Sequence, residues 1–426
     1  MTRTRLLAAA AVAALTAATP AFAAGPTASE VVTQYGDIAL AMYSDALAGA
    51  KTLDAAVGAL IATPSEATLA AARKAWIDAR PAYQQTEGFR FGNAIVDDWE
   101  GRVNAWPLDE GLIDYVDTAS YGDASDENPL YAANVIASKT LQIGPDTVDA
   151  STIDVALIRD RLQEAQDVES NVAIGYHAIE FLLWGQDLNG TGPGAGNRPY
   201  TDYDTANCTN GNCDRRGAYL KAATDLLVAD LEEMVGNWQK DGAARAQLAE
   251  KGEDGGIATI LTGLGSLSYG ELGGERMKLG LLLHDPEEEH DCFSDNTHNS
   301  HYYDIVGMSE IWHGKYTRAD GTVLEGPSIA AYAAAKDEAA AKRVDAAIAA
   351  TLAKAQVMKD RADSGVEAYD QMIGPDNPEG NKVVEDVIDG LVGQTRAIEA
   401  VVASLGVEIT VEGSDSLDNP AAVGAP

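Results

Sequence analysis

The stretch Gly-Tyr-His-Ala-Ile-Glu-Phe-Leu-Leu-Trp at residues 175–184 decides which fold the sequence predicts. Its apolar side chains suit a helix in a protein core, yet it also contains His177 and Glu180, three residues apart. On a helix, side chains at this spacing lie on one face, with Cβ atoms about 5–6 Å apart. The stretch therefore predicts a buried helix that carries an imidazole and a carboxylate side by side.

Helical spacing of apolar residues recurs along most of the chain. Between residues 31 and 47 they follow one another at three- and four-residue steps, and Thr63-Pro64-Ser65 ends that helix. Further helices are expected at about 152–185, 214–238, 328–362 and 380–405. Alternating strand patterns are almost absent, so the sequence predicts an all-α protein of long antiparallel helices packed in bundles.

Length and local composition divide the chain into four predicted parts. After the first 24 residues, about 400 remain, which is more than one hydrophobic core usually holds. The polar, Gly- and Pro-rich stretch 189–212 is the best candidate boundary between two domains. We expect one helical bundle at 25–205, a second at 206–412, and a disordered tail at 413–426.

Residues 1–24 have the pattern of a cleavable signal peptide. Arg3 and Arg5 precede a short apolar run, and Ala21-Phe22-Ala23 supplies small residues around a cut near Ala23–Ala24. No later apolar stretch approaches the roughly 20 residues of a membrane helix. The sequence therefore predicts an exported protein without a membrane span.

The chain is strongly acidic, with 66 Asp and Glu against 30 Lys and Arg and a formal net charge of −36. Such a surface repels nucleic acid and anionic lipid, so neither is an expected partner. It favours cations or cationic ligands. The simpler explanation, which we favour as the main cause of the net charge, is that it keeps an exported protein soluble.

Three cysteines are present, and two of them stand close together in sequence. Cys208 and Cys213 enclose four polar residues, and in an oxidising compartment a disulfide between them is the default. Cys292 is then left over, although a bridge from either of the other two to Cys292 is an alternative. A zinc site is less favoured, because no second Cys or His pair stands nearby.

Histidines cluster in the second half of the chain. Five of the six lie between His284 and His313, in a segment rich in Asp and Glu. Imidazole and carboxylate ligands together suit iron, manganese or zinc. We therefore expect Asp295 and His298 to approach His177 and Glu180 at a metal site. The alternatives are a buried His–Glu hydrogen bond that only orders the core, and a solvated acidic loop.

A second polar segment combines charged residues with aromatics between residues 87 and 102. Glu87, Arg90, Asp97 and Arg102 are predicted to line a binding cleft, with the arginines neutralised by carboxylates. The sequence has no H-E-x-x-H zinc helix and no G-x-S-x-G nucleophile elbow. Two common hydrolytic sites are thus missing from it.

Gly175-Tyr-His177-Ala-Ile-Glu180 resembles the G-x-H-x-x-E motif of the imelysin family, which is also called the insulin-cleaving membrane protease or iron-regulated protein A-like family. The resemblance covers nearly the whole chain after residue 24. Segments similar to the iron-regulated branch are Gly88-Phe-Arg-Phe-Gly-Asn93, Trp106-Pro-Leu-Asp-Glu-Gly111, Cys292-Phe-Ser-Asp-Asn-Thr-His298 and Trp312-His-Gly-Lys-Tyr316.

The resemblance implies two helical bundles with the motif near their interface. It also allows the two bundles to have arisen by an internal duplication. It also implies a periplasmic protein that takes part in iron acquisition, alongside other envelope iron-uptake components. Its ligand would be iron, another divalent cation such as zinc, or an iron chelate.

Two further functions remain open on this resemblance. One is a metallopeptidase in which Glu180 is the catalytic residue, although a catalytic zinc usually has three protein ligands and His177 and Glu180 supply two at most. The other is a module that binds a peptide or another ligand without a metal. The sequence therefore leaves enzymatic activity undecided.

Overall fold

The computed structural model describes residues 25–423, so the predicted signal peptide at 1–24 lies outside the described residues. Helices dominate this part of the chain. They are α1 (Ala28–Ala62), α2 (Glu66–Gln84), α3 (Ala94–Glu100), α4 (Glu110–Ile113), α5 (Val155–Leu157), α6 (Gly175–Trp184), α7 (Cys213–Asn237), α8 (Ala243–Glu250), α9 (Gly252–Ser266), α10 (Leu279–Leu283), α11 (Thr297–His313), α12 (Ile329–Lys336), α13 (Glu338–Asp363), α14 (Tyr369–Ile373), α15 (Pro378–Leu405) and α16 (Asp415–Asp418).

Strands are confined to two short antiparallel hairpins within the described residues. The first pairs β1 (Thr140–Ile143) with β2 (Asp146–Asp149), and the second pairs β3 (Lys315–Thr317) with β4 (Val323–Glu325). Two segments wind as π-helix, at Ile158–Leu162 and Leu267–Lys278. The predicted all-α fold class is confirmed.

The first two helices begin and end where the sequence places their signals. Thr27 caps α1 and exchanges hydrogen bonds with Glu30, and Ser65 caps α2 in the same way with Thr68. These side chains satisfy backbone N–H groups that the first helical turn leaves free. The apolar face of α1 then packs against α2.

The helices pack so that elements distant in sequence meet around one continuous core. Helix α1 contacts α2 and α7, and α13 contacts α15. Helix α11 lies between these groups, because it packs against both α2 and α13. Through α2 and α11, residues of the two predicted halves come together. The boundary at 205/206 stays a prediction, and α7, which follows it, packs on α1.

The single long helix predicted at 152–185 is wrong. Instead, α5 and the π-helical turn after it are separated from α6 by irregular chain and one short 3-10 turn at Ala165–Asp167. Glu164, Gln166 and Asp167 adopt left-handed backbone conformations with φ of 50°, 63° and 58°. A right-handed helix cannot continue through such residues. The spacing of the apolar residues along 152–185 suggested one helix, but the backbone leaves the right-handed helical region at these three residues.

Gly175 fixes where α6 begins. Its φ is +81°, a value that side-chain-bearing residues rarely adopt, and a Cβ on it would lie 2.6 Å from the carbonyl oxygen of Val103. The neighbouring N–H of Tyr176 donates to that same oxygen at 2.8 Å. Glycine is therefore required at this position, where the chain turns into the helix that carries His177.

The disordered tail predicted from residue 413 is corrected for residues 414–418. Residues 415–418 form α16, which Ser414 caps, and both Ser414 and Ser416 are buried. The Ser416 hydroxyl donates to the Gly274 carbonyl at 2.9 Å, and the Tyr269 hydroxyl donates to Asp418 at 2.7 Å. Because Gly274 has no side chain, the tail can approach the π-helical segment closely enough to make these contacts.

Cys208 and Cys213 form a disulfide bond, and Cys292 is a free thiol.

Among the described residues, no helix has the length and apolarity needed to cross a bilayer.

Candidate metal centre

His177 and Glu180 face each other on α6. The His177 Nδ1 lies 3.1 Å from Glu180 Oε2, and both side chains are almost fully buried. The other Glu180 oxygen, Oε1, accepts hydrogen bonds from the backbone N–H of Ser294 at 3.0 Å and from its hydroxyl at 2.6 Å. Glu180 thus ties α6 to the segment that precedes α11 and orients the imidazole of His177.

That segment brings a second histidine and a carboxylate to the pair. The rings of His177 and His290 have centroids 4.7 Å apart at 73°, and Asp291 follows His290 directly. One potential ligand atom from each of His177, His290 and Asp291 lies within 4.8 Å of the other two. Two imidazoles and one carboxylate form a ligand set used for first-row transition metals.

Two buried nitrogens in this group have no hydrogen-bond partner among the described residues. They are His177 Nε2 and His290 Nδ1. A buried polar atom without a partner is unusual, and an ion or water at the site would account for it. With His177 Nδ1 donating to Glu180, its Nε2 carries a free lone pair, the arrangement in which a carboxylate orients a metal-bound histidine. In this respect the residues fit a metal ion.

Burial keeps both imidazoles neutral. It lowers the pKa of His177 to about 3, with the nearby Arg80 charge acting in the same direction. Burial, together with the charge of Arg276, also holds the pKa of His290 well below its usual value. Neutral imidazole is the form that binds metals, so both side chains are ready to act as ligands at neutral pH.

Asp291 is already well occupied by hydrogen bonds. Its Oδ1 accepts from Arg80 Nη2 at 2.8 Å, and its Oδ2 accepts from Ser300 Oγ at 2.5 Å and Asn296 Nδ2 at 2.9 Å. Burial alone would raise the pKa of this carboxyl, but the Arg80 guanidinium holds it below its usual value. Asp291 is therefore ionised, and any metal would share it with Arg80.

Asp295 and His298, the other two predicted ligands, are not brought into this group. His298 Nε2 instead lies 3.2 Å from Asp363 Oδ1 on α13. Asp295 has a φ of +56°, and burial together with the Asp187 charge raises its pKa to about 7. The left-handed residue Asp295 ends the run of turns that carries His290, just before α11 begins.

Each of the four predicted cleft residues forms an ion pair with a residue of opposite charge. Arg90 lies 2.9 Å from Asp97, as expected for an arginine neutralised by carboxylates. Arg102 pairs with Glu233 at 2.9 Å, and Glu87 pairs with Arg276 at 2.6 Å. Their role in binding a ligand stays a prediction.

An open cavity of about 530 Å³ lies near the histidine group, although neither His177 nor His290 lines it. Trp106 lines it, and the Trp106 ring centroid is 5.9 Å from that of His290. Its acidic lining residues are Asp109, Glu110, Asp117, Asp187 and Glu287. Burial, with the Glu287 charge second, raises the pKa of Glu110 to about 8. The cavity thus offers a cation an acidic surface beside the buried group.

The sequence matches the family model described as Imelysin (peptidase M75) over residues 39–398. The chain belongs to the imelysin family. A curated relative, iron-regulated protein A of Synechococcus elongatus, is 41% identical to this imelysin-family chain over 71 residues. That alignment covers 16% of the chain and 20% of the relative, so the chain spans well under two thirds of that relative.

Two solved structures share the imelysin-family fold with this chain. One is a candidate iron-regulated protein A precursor from Parabacteroides distasonis, with a TM-score of 0.62, 15% identity, and coverage of 90% of this chain and 97% of the other. The second is an imelysin-like protein from Psychrobacter arcticus, with a TM-score of 0.55, 15% identity, and coverage of 91% and 98%. At this identity, the likeness establishes the fold.

Sequence reasoning identified His177 and Glu180 but missed His290 and Asp291. Both missed residues lie in the His- and acid-rich segment, directly before Cys292. The adjacent pair of an imidazole and a carboxylate was a signal that could have identified them. Spacing alone could not, because their approach to α6 depends on the fold of the intervening chain.

Proposed function

We propose that this imelysin-family member is an exported periplasmic protein that binds iron, or another first-row divalent cation such as zinc, during iron acquisition. His177, His290 and Asp291 would supply the ligands, and Glu180 would orient His177. The observation that carries this proposal is the pair of buried, unpartnered nitrogens His177 Nε2 and His290 Nδ1. The iron-related names of the relatives support the choice of metal.

The donor set supports a transition metal over calcium or magnesium. Two imidazole nitrogens and one carboxylate suit iron, manganese or zinc, whereas calcium and magnesium prefer oxygen ligands. Helix α6 and the segment before α11 come from the two predicted halves, so the proposed site is an inter-domain one. The acidic cavity beside Trp106 would attract the cation and, with about 530 Å³, would also admit a small chelate.

A metallopeptidase is the second candidate, favoured by the family description and by the position of Glu180 next to a histidine. In that case Glu180 would act as the base that activates a metal-bound water. The burial of His177, Glu180 and Asp291 argues against it, because a catalytic metal keeps a position open to substrate. Casein digestion by the zinc-loaded protein, compared with its Glu180→Gln variant, tests this candidate.

Metal analysis and a titration test the leading proposal. Protein purified without an affinity tag should contain a stoichiometric first-row metal, and metal-free protein should rebind Fe²⁺ or Zn²⁺. His177→Ala and His290→Ala should each weaken binding by at least about tenfold, since each removes a direct ligand. A matched control is His298→Ala, which removes a histidine that pairs with Asp363.

Both site variants require a thermal melt, because His177 and His290 are 1% and 2% exposed and contribute to packing. Folded variants that bind metal as tightly as the wild type would refute the proposal. Metal-free wild-type protein that rebinds none would instead favour a module for a non-metal ligand.

A further inference from the structure

A small cavity that adjoins the larger one is lined by four carboxylates. They are Asp187, Glu287, Glu289 and Asp370. Its volume is about 10 Å³, which is room for a single water-sized occupant. Glu289 precedes His290 in the chain, and Asp370 lies on α14. Three separate parts of the chain therefore direct acidic side chains to one small space.

Two of these carboxylates are buried without any hydrogen-bond partner. Glu289 is 0% exposed and Asp370 is 2% exposed. None of their four carboxylate oxygens has a partner among residues 25–423. A buried polar group without a partner costs free energy that something else at the site must offset.

The protein pairs most of its other buried carboxylates with arginine. Asp291 pairs with Arg80 at 2.8 Å and Asp114 with Arg216 at 2.6 Å. The same applies to Glu87, Glu100, Asp45, Asp202, Asp230 and Asp304. In the described part of the chain, no Lys, Arg or His forms an ion pair with any of the four cavity carboxylates. When ionised, these four carboxylates therefore have no counter-charge within the described residues.

We propose that Asp187, Glu287, Glu289 and Asp370 form a second cation site, which takes a hard divalent cation such as Ca²⁺ through oxygen ligands. Ca²⁺ accepts about 6–8 oxygen ligands in flexible geometry, and four carboxylates offer up to eight. Such a site differs in chemistry from the histidine group, where imidazole nitrogens suit transition metals. It does not require the histidine group to bind a metal.

Direct measurement of Ca²⁺ binding tests the proposal. Isothermal titration of chelator-treated full-length protein with CaCl₂ should show one site in the wild type. Asp370→Asn and Glu289→Gln should each weaken that site by at least about tenfold, by loss of a direct ligand. Asp376→Asn, which removes an exposed carboxylate a few residues after α14, is the matched control and should bind Ca²⁺ like the wild type.

A second readout separates ligation from folding. Ca²⁺ should raise the melting temperature of the wild type and of Asp376→Asn. Asp370→Asn should melt higher than metal-free wild type, because one repelling charge is gone, and should not respond to Ca²⁺. No Ca²⁺ binding by the wild type, or equal binding by Asp370→Asn, would overturn the proposal.

The histidine variants keep this result separate from the proposed function. His290→Ala should retain Ca²⁺ binding while losing Fe²⁺ or Zn²⁺ binding. Loss of Ca²⁺ binding in a folded His290→Ala protein would show that the ion sits at the histidine group, and would overturn the second site alone.

Discussion

Arg80 Nη2 lies 2.8 Å from Asp291 Oδ1, and both side chains are fully buried. The pair links α2 to the segment before α11, where the two predicted halves meet. The guanidinium also donates to Asn104 at 2.7 Å and stacks 5.0 Å from the Tyr176 ring centroid. It therefore holds Asp291 in place beside the histidines and offsets its charge when no cation is bound.

Arg80→Ala should lower the free energy of unfolding by about 3–5 kcal/mol, since it leaves the Asp291 charge buried and unpaired. Urea denaturation followed by circular dichroism measures this. The control is Lys342→Ala, which breaks the exposed pair with Glu338 and should have no measurable effect. Equal stabilities of the two variants would show that the buried pair does not support the fold.

The sequence predicted the helical fold class because apolar spacing and capping signals are local. Thr63-Pro64-Ser65 ended α1 as predicted, with Ser65 capping α2. The break before α6 was missed, because the left-handed backbone at residues such as Glu164 has no counterpart in the spacing of apolar residues.

The candidate site was predictable only in part for the same reason. His177 and Glu180 share a helical face, so their spacing sufficed. His290 and Asp291 reach them across more than a hundred residues of chain. The histidine-rich segment was recognised, but which of its members faces α6 depends on the folded path of the chain, which spacing in the sequence does not give.

Gly175→Ala should destabilise the protein and displace His177. A residue that has a side chain is destabilised by about 1–3 kcal/mol in this left-handed backbone conformation. The added Cβ would also overlap the Val103 carbonyl. We expect a lower free energy of unfolding in urea, together with weaker Fe²⁺ or Zn²⁺ binding at the proposed site.

A glycine with free space around it provides the control for this substitution. Gly58 lies inside α1, and a Cβ there would meet no atom within 4 Å. Gly58→Ala should raise the free energy of unfolding by about 0.5–1 kcal/mol, because alanine restricts the unfolded chain and favours helix. If Gly175→Ala behaved like Gly58→Ala, the requirement for glycine at the start of α6 would be disproved.

Glu110→Gln should stabilise the protein at pH 8 and have little effect near pH 4.5. Burial is the main cause of its pKa of about 8, against an ordinary value of 4.5. The folded state therefore retains a proton that the unfolded chain releases, so stability falls as the pH rises between these values. Between pH 4.5 and pH 8, the difference in free energy of unfolding between Glu110→Gln and the wild type should grow by at most about 1.4 kcal/mol per pH unit.

Urea denaturation of the metal-free protein at pH 4.5, 6 and 8 checks this dependence. The exposed Glu127→Gln variant makes the same change of charge and should show no such trend. A constant difference between Glu110→Gln and the wild type across the three pH values would contradict a raised pKa at Glu110.

Cleavage of the chain within 189–212 should leave the two pieces associated. Helix α7, beyond this stretch, packs on α1 and α6, and Arg216 on α7 pairs with Asp114 in the first piece at 2.6 Å. Separating the pieces after Pro193 would expose these apolar faces and leave that buried carboxylate without either of its arginines, Arg198 and Arg216. A protease site inserted after Pro193, which is exposed, allows complete cleavage. We expect the cleaved protein to elute as one particle in size-exclusion chromatography and to melt cooperatively, whereas two separately eluting helical fragments would instead support independent bundles on either side of 205/206.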